Sequence, residues 1–166
     1  MAKQITVLVL CTGNSCRSIL GEVLINELGQ GRFAAHSAGS QPAGQVNPGA
    51  IRKLAAEGHR TDGLESKSWD RFSGDGAPQI DIVITVCDSA AGEACPVWYG
   101  SPVTAHWGIP DPADASPQHA DAAFELAYRQ LRTRIEAMVE LPLESMDQRA
   151  TLDALERIHD AARDIS

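Results

Sequence analysis

Apolar residues follow one another from Ile5 to Leu10, broken only by Thr6. A run this apolar and β-branched predicts a strand over residues 3–10, buried on both faces. The period then changes. Ile19, Leu20, Val23, Leu24 and Leu28 share one face of a helix from about Cys16 to Leu28, and Gly29-Gln30-Gly31 ends it. Residues 32–37 predict a second strand, followed by a Gly- and Pro-rich loop over 39–48. Asn47-Pro48 reads as cap and first turn of a helix reaching about Glu57, closed by Gly58. A short helix is expected around Ser66–Phe72, a strand over Gln79–Val86 and another over Val103–Trp107. A long helix should run from about Pro117 to Glu140, where Pro142 breaks it, and a last one over roughly 147–163. Strands alternating with helices predict an α/β fold: a doubly wound, four-stranded parallel sheet flanked by helices.

At 166 residues the chain reads as a single domain, 1–166, with 142–166 as a C-terminal helical extension. The spacing of Leu152, Leu155 and Ile158 suits packing back onto the domain or a dimer contact. No apolar run approaches the roughly 20 residues of a membrane span, and no leader-like segment precedes the first strand. The expectation is a cytoplasmic protein without a membrane partner. A net charge of −8 argues against nucleic acid held by bulk electrostatics. Four cysteines, at 11, 16, 87 and 95, then point to catalytic, redox or metal chemistry rather than a disulfide framework. Their spacing does not match a zinc knuckle.

The first strand ends at Cys11, and Thr12-Gly13-Asn14-Ser15-Cys16-Arg17-Ser18 leads into the first helix. Ligands in open α/β sheets bind at strand carboxyl ends, and loop amides together with a helix N-terminus favour an anion there. Gly13 is read as allowing a close turn and Asn14 as tolerating left-handed dihedrals. Arg17 suits bidentate contact with two oxyanion oxygens. In that field Cys11 is expected as a thiolate nucleophile with Ser18 donating to it, although a thiol at a strand end is by itself also a small buried hydrophobe. Cys16 reads as a structural thiol, with oxidation against Cys11 the other option.

Cys87 follows the third strand and the fourth runs out just before Asp111, so Cys11, Cys87 and Asp111 are expected around one crevice. Asp111 lies between Pro110 and Pro112, which restrict its position as a general acid must be restricted; it reads equally as a turn aspartate before proline. Cys87 and Cys95, separated by a small and polar segment, suit a thiol relay or are two unrelated cysteines. His106-Trp107 reads as packing. Glu22, Ser37, Ser68 and Asp70 look, on their own, like helix and cap residues.

Val9-Leu10-Cys11-Thr12-Gly13-Asn14-Ser15-Cys16-Arg17-Ser18 resembles the phosphate loop of the low-molecular-weight protein tyrosine phosphatase fold. Val86-Cys87, Ala94-Cys95-Pro96, Ala105-His106-Trp107-Gly108 and Asp111-Pro112-Ala113 resemble its arsenate reductase branch. The similarity runs from about residue 4 to 140. It implies arsenate held by residues 11–18, with phosphate and sulfate competing. It also implies attack by Cys11, protonation by Asp111, and a disulfide passed from Cys11–Cys87 to Cys87–Cys95. Thioredoxin, or glutaredoxin with glutathione, is the implied reductant. No tightly bound cofactor is implied, but some members bind potassium near the loop, and matching positions place that site on Asn14, Glu22, Ser37, Ser68 and Asp70. The alternative functions are an aryl phosphate or phosphotyrosine phosphatase, sharing Cys11, Arg17 and Asp111, and a non-catalytic oxyanion or redox sensor.

Overall fold

Strand β1 (Ile5–Leu10) lies second in a four-stranded, all-parallel sheet of order β2-β1-β3-β4, with β2 at Phe33–Ala38, β3 at Ile82–Thr85 and β4 at Val103–His106. The computed structural model describes residues 4–73, 76–86, 102–112 and 115–163. Helix α1 (Arg17–Gly29) follows β1 and α2 (Pro48–Ala56) follows β2, while α3 (Ala120–Val139) and α4 (Gln148–Arg163) both follow β4. The expected short helix is a 3₁₀ turn, Trp69–Phe72, and another 3₁₀ turn, Pro117–His119, leads into α3. Strand β3 is shorter than its apolar run. The Asp81 carboxylate accepts from the Thr6 N–H at 2.8 Å, so a side chain starts the pairing there, and Ile80 turns into the core.

The apolar strands are buried on both faces. Val7, Val9, Ile82 and Ile84 pack against α1, α3 and α4 in the larger core cluster. Leu8, Leu10 and Val83 alternate to the opposite face, where Ala38, Phe72 and Ile80 join them and Trp69 packs over them. Local caps fix the helix starts. The Asn47 side chain accepts from Gly49 N with Pro48 in the first turn, and Asp147 Oδ1 accepts from Ala150 N. α4 packs back onto the sheet: Leu155 is fully buried, Leu152 and Ile158 pack against the core, and Trp107 Nε1 donates to Leu155 O at 3.0 Å. Trp107 is thus a packing residue, as expected. Arg32 binds Glu144 with two nitrogens and donates to Val139 O and Leu141 O, tying the start of β2 to the chain after α3.

The register places the strand ends level. Leu10 pairs with Ala38 and with Thr85, and Thr85 pairs with His106. The chain therefore leaves β1, β2, β3 and β4 along one edge, at Cys11, Gly39, Val86 and Trp107. No helix among the described residues is long and apolar enough to cross a membrane.

Candidate functional site

The loop from Cys11 to Cys16 is held from outside. Gln41 N donates to Thr12 O at 3.0 Å, Ala43 N to Gly13 O at 2.9 Å and Asn47 N to Ser15 O at 3.0 Å. Ser66 Oγ also donates to Gly13 O. In a trans peptide the N–H points opposite to the C=O. Braced carbonyls at 12, 13 and 15 therefore turn the N–H groups of Gly13, Asn14 and Cys16 toward the inside of the loop. Inward amides at the start of α1 make an anion-binding concavity.

Asn14 takes the left-handed backbone expected of it, at φ 45°, and is fully buried. Its amide joins the loop to two neighbours: Nδ2 donates to Ser18 Oγ, and Oδ1 accepts from Lys67 N, both at 2.8 Å. Gly13 is not the position under steric demand, since a Cβ there would meet only Ser15 Oγ at 3.7 Å. That position is Gly39, where a Cβ would lie 2.4 Å from Thr12 O and 2.5 Å from Cys11 O. Sequence reasoning missed Gly39 and Ser66. The only hint was the Gly- and Pro-rich character of the loop over 39–48.

Arg17 begins α1 and turns its guanidinium toward the loop after β4. Nη1 donates to Ile109 O at 3.0 Å, and Nη2 lies 3.3 Å from Asp111 Oδ2. The structure thus brings together Arg17 and Asp111, which are far apart in the sequence. Nε of Arg17 is buried and has no hydrogen-bond partner among the described residues. An unmet donor on a buried cation is costly unless a ligand accepts from it. Ser18 is fully buried; its oxygen accepts from Asn14, which leaves its own hydrogen to donate. Cys11 is buried at the strand end, with its N–H donating to Ala38 O at 3.2 Å.

Cys16 is also buried, and burial pushes its thiol above the ordinary value, with Arg17 and a Ser15 hydroxyl opposing. It therefore stays protonated, which suits a structural thiol and not a nucleophile. Cys87 and Cys95 lie outside the described residues. The last described residue before them, Val86, is fully buried and donates its N–H to Leu10 O, next to Cys11.

The residues suggested for potassium have protein partners. Asn14 is bonded to Ser18 and Lys67, and Ser37 Oγ donates to Glu22 Oε1 at 2.7 Å. Ser68 Oγ accepts from Asp70 N as the cap of the 3₁₀ turn, while Asp70 itself is exposed. Lys67 Nζ lies 3.5 Å from the same Glu22 oxygen. This donor set does not fit an alkali ion, because an ammonium already stands against Glu22, its one shielded carboxylate.

Parallel sheet, braced cysteine loop and arginine together define an oxyanion-binding protein with a thiol at the strand end. The chain belongs to the low molecular weight phosphotyrosine protein phosphatase family, whose model matches residues 6–151. It is 31% identical over 142 residues to an arsenate reductase of Bacillus licheniformis, covering 84% of this chain and 98% of that one. A solved arsenate reductase in the phosphate binding state is 26% identical, with a TM-score of 0.62 over 80% of this chain and 97% of that chain. The thioredoxin-dependent arsenate reductase of Corynebacterium glutamicum shares the fold, with a TM-score of 0.56, 23% identity, and coverage of 82% of this chain and 64% of that chain.

Two outcomes follow from the loop. Gly39→Ala forces apart two backbones and should cost about 1–3 kcal/mol in urea unfolding, with a parallel loss of inorganic phosphate affinity by calorimetry. Unchanged stability and affinity would show that Gly39 does not shape the loop. Because the Cys16 pKa is raised on folding, the unfolded chain loses this proton first as pH rises. Its contribution to stability is full below the ordinary thiol value of 9.0 and falls as pH climbs from there through the raised folded value. The urea midpoint of the native chain should therefore decline above that pH more steeply than that of Cys16→Ala, and parallel curves would contradict it.

Proposed function

We propose that this chain reduces arsenate to arsenite with electrons from an external thiol donor. The observation that carries the reading is the buried Nε of Arg17, without a partner among the described residues, beside a loop whose amides face inward. That set accepts a tetrahedral oxyanion. The choice of arsenate over a phosphate ester is supported by Cys87 and Cys95, for which ester hydrolysis has no use, and by the arsenate reductases among the relatives.

In the proposed reaction the loop amides and Arg17 hold arsenate. The Cys11 thiolate attacks arsenic and forms an S–As bond, and the displaced oxygen leaves with a proton from Asp111. Binding the oxyanion gives Arg17 Nε its missing acceptor. The Cys87 thiolate then attacks Cys11 Sγ. The electron pair of the S–As bond passes to arsenic, arsenite leaves with arsenic reduced by two electrons, and a Cys11–Cys87 disulfide remains. Cys95 attacks Cys87 in turn, which frees the Cys11 thiolate and leaves Cys87–Cys95 for a dithiol donor. Thioredoxin is our choice of donor, with glutaredoxin and glutathione as the other arm of the test. These exchanges need reduced thiols, so a cytoplasmic location belongs to the same proposal.

Cys11, Arg17 and Asp111 equally support hydrolysis of an aryl phosphate, the chemistry after which the family is described. The coupled assay separates the two. Arsenate-dependent NADPH oxidation with thioredoxin and its reductase should proceed with the native chain and fall to background with Cys87→Ser. Multiple turnovers by Cys87→Ser would contradict the relay. Turnover only with glutaredoxin and glutathione would reassign the donor and make Cys95 dispensable. Silence with both donors, together with aryl phosphate hydrolysis, would establish the phosphatase.

A further inference from the structure

Lys67 is tied to the phosphate loop and to two elements beside it. Its N–H donates to Asn14 Oδ1, its C=O accepts from Gly39 N at 3.0 Å, and its side chain returns to α1. There Nζ lies 3.5 Å from Glu22 Oε1 and donates to Glu65 O at 3.2 Å. The pair is well shielded, with side-chain exposures of 10% for Lys67 and 16% for Glu22. A carboxylate so placed needs a positive partner. The hydroxyl of Ser37, on the same Glu22 oxygen, supplies a hydrogen bond but no charge. His36, next to Ser37 on β2, is held below its ordinary value by burial and is neutral near pH 7.

We propose that the Lys67 ammonium is the resident monovalent cation of the loop scaffold, and that it makes the loop independent of potassium. An ammonium and a potassium ion are similar in size and both take oxygen donors. Here a carboxylate and a carbonyl oxygen surround Nζ. A second cation at Glu22 would stand against the ammonium and be repelled. The same residue bonds Asn14 and Gly39 through its backbone, so the ion pair at its side chain anchors the segment that braces the two positions that shape the loop. Lys67 acts as a positioning residue. The inference holds for whichever oxyanion the loop takes and does not rest on arsenate chemistry.

The test is thermal unfolding of the full chain in potassium chloride and in tetramethylammonium chloride at equal ionic strength. The native chain should give the same midpoint and the same inorganic phosphate affinity in both salts. Lys67→Met should lose several degrees in tetramethylammonium and recover most of them in potassium or ammonium chloride, because a small cation refills the gap. Glu22→Gln combined with Lys67→Met should fold and be indifferent to the cation, since the introduced amide still accepts from Ser37 and leaves no buried charge. Should Lys67→Met fail to fold in tetramethylammonium, folding in potassium chloride gives the same answer. Potassium-specific stabilisation of the native chain, or a Lys67→Met protein that no cation restores, overturns the proposal.

Discussion

The site depends on the bracing of three loop carbonyls. Thr12, Gly13 and Ser15 give their oxygens to N–H groups of the segment from Gln41 to Asn47, and a planar peptide can satisfy those bonds only by turning its own N–H the other way. Those donors take their direction from bonds on the outside of the loop, so the cradle is built before any anion arrives. Such preorganisation is what makes backbone dipoles effective against developing charge. The tight contact at Gly39 stands beside it: β2 ends level with β1 and sets Gly39 against the Cys11 and Thr12 carbonyls, closer than any side chain would permit.

Charge is arranged on the same scaffold at two depths. The chain carries a net charge of −8, yet a guanidinium, Arg17, stands at the loop where an oxyanion would bind. Arg17 is fixed by Ile109 O and Asp111, and its buried Nε has no acceptor among the described residues. Lys67 faces the other way and neutralises Glu22 behind the loop. The Arg17–Asp111 contact also couples clamp and acid.

The elements legible in the sequence were those determined by neighbouring residues. The strand before Cys11, the helix face from Ile19 to Leu24, the Asn47-Pro48 cap and the left-handed turn at Asn14 all follow from local pattern or backbone chemistry. What could not be read depends on residues far apart in the chain. Gly39 is required only because the register of β1 with β2 carries it against Cys11 and Thr12. Ser66 and Lys67 matter because a turn far along the chain from the loop returns beneath it. Glu22, Ser37 and Ser68 were grouped by resemblance to a cation site. The lysine adjacent to Ser68, which the resemblance did not include, changes what that group does.

The central claim is that one oxyanion loop works with a thiol relay, and a single turnover without any donor tests it most directly. Fully reduced protein is mixed with arsenate, arsenite is counted, and the disulfide is located by peptide mapping. The account predicts one arsenite per chain and a Cys87–Cys95 disulfide, with Cys11 returned to its thiol. Arsenite production without that disulfide, or no arsenite from a chain that binds the oxyanion, would contradict it.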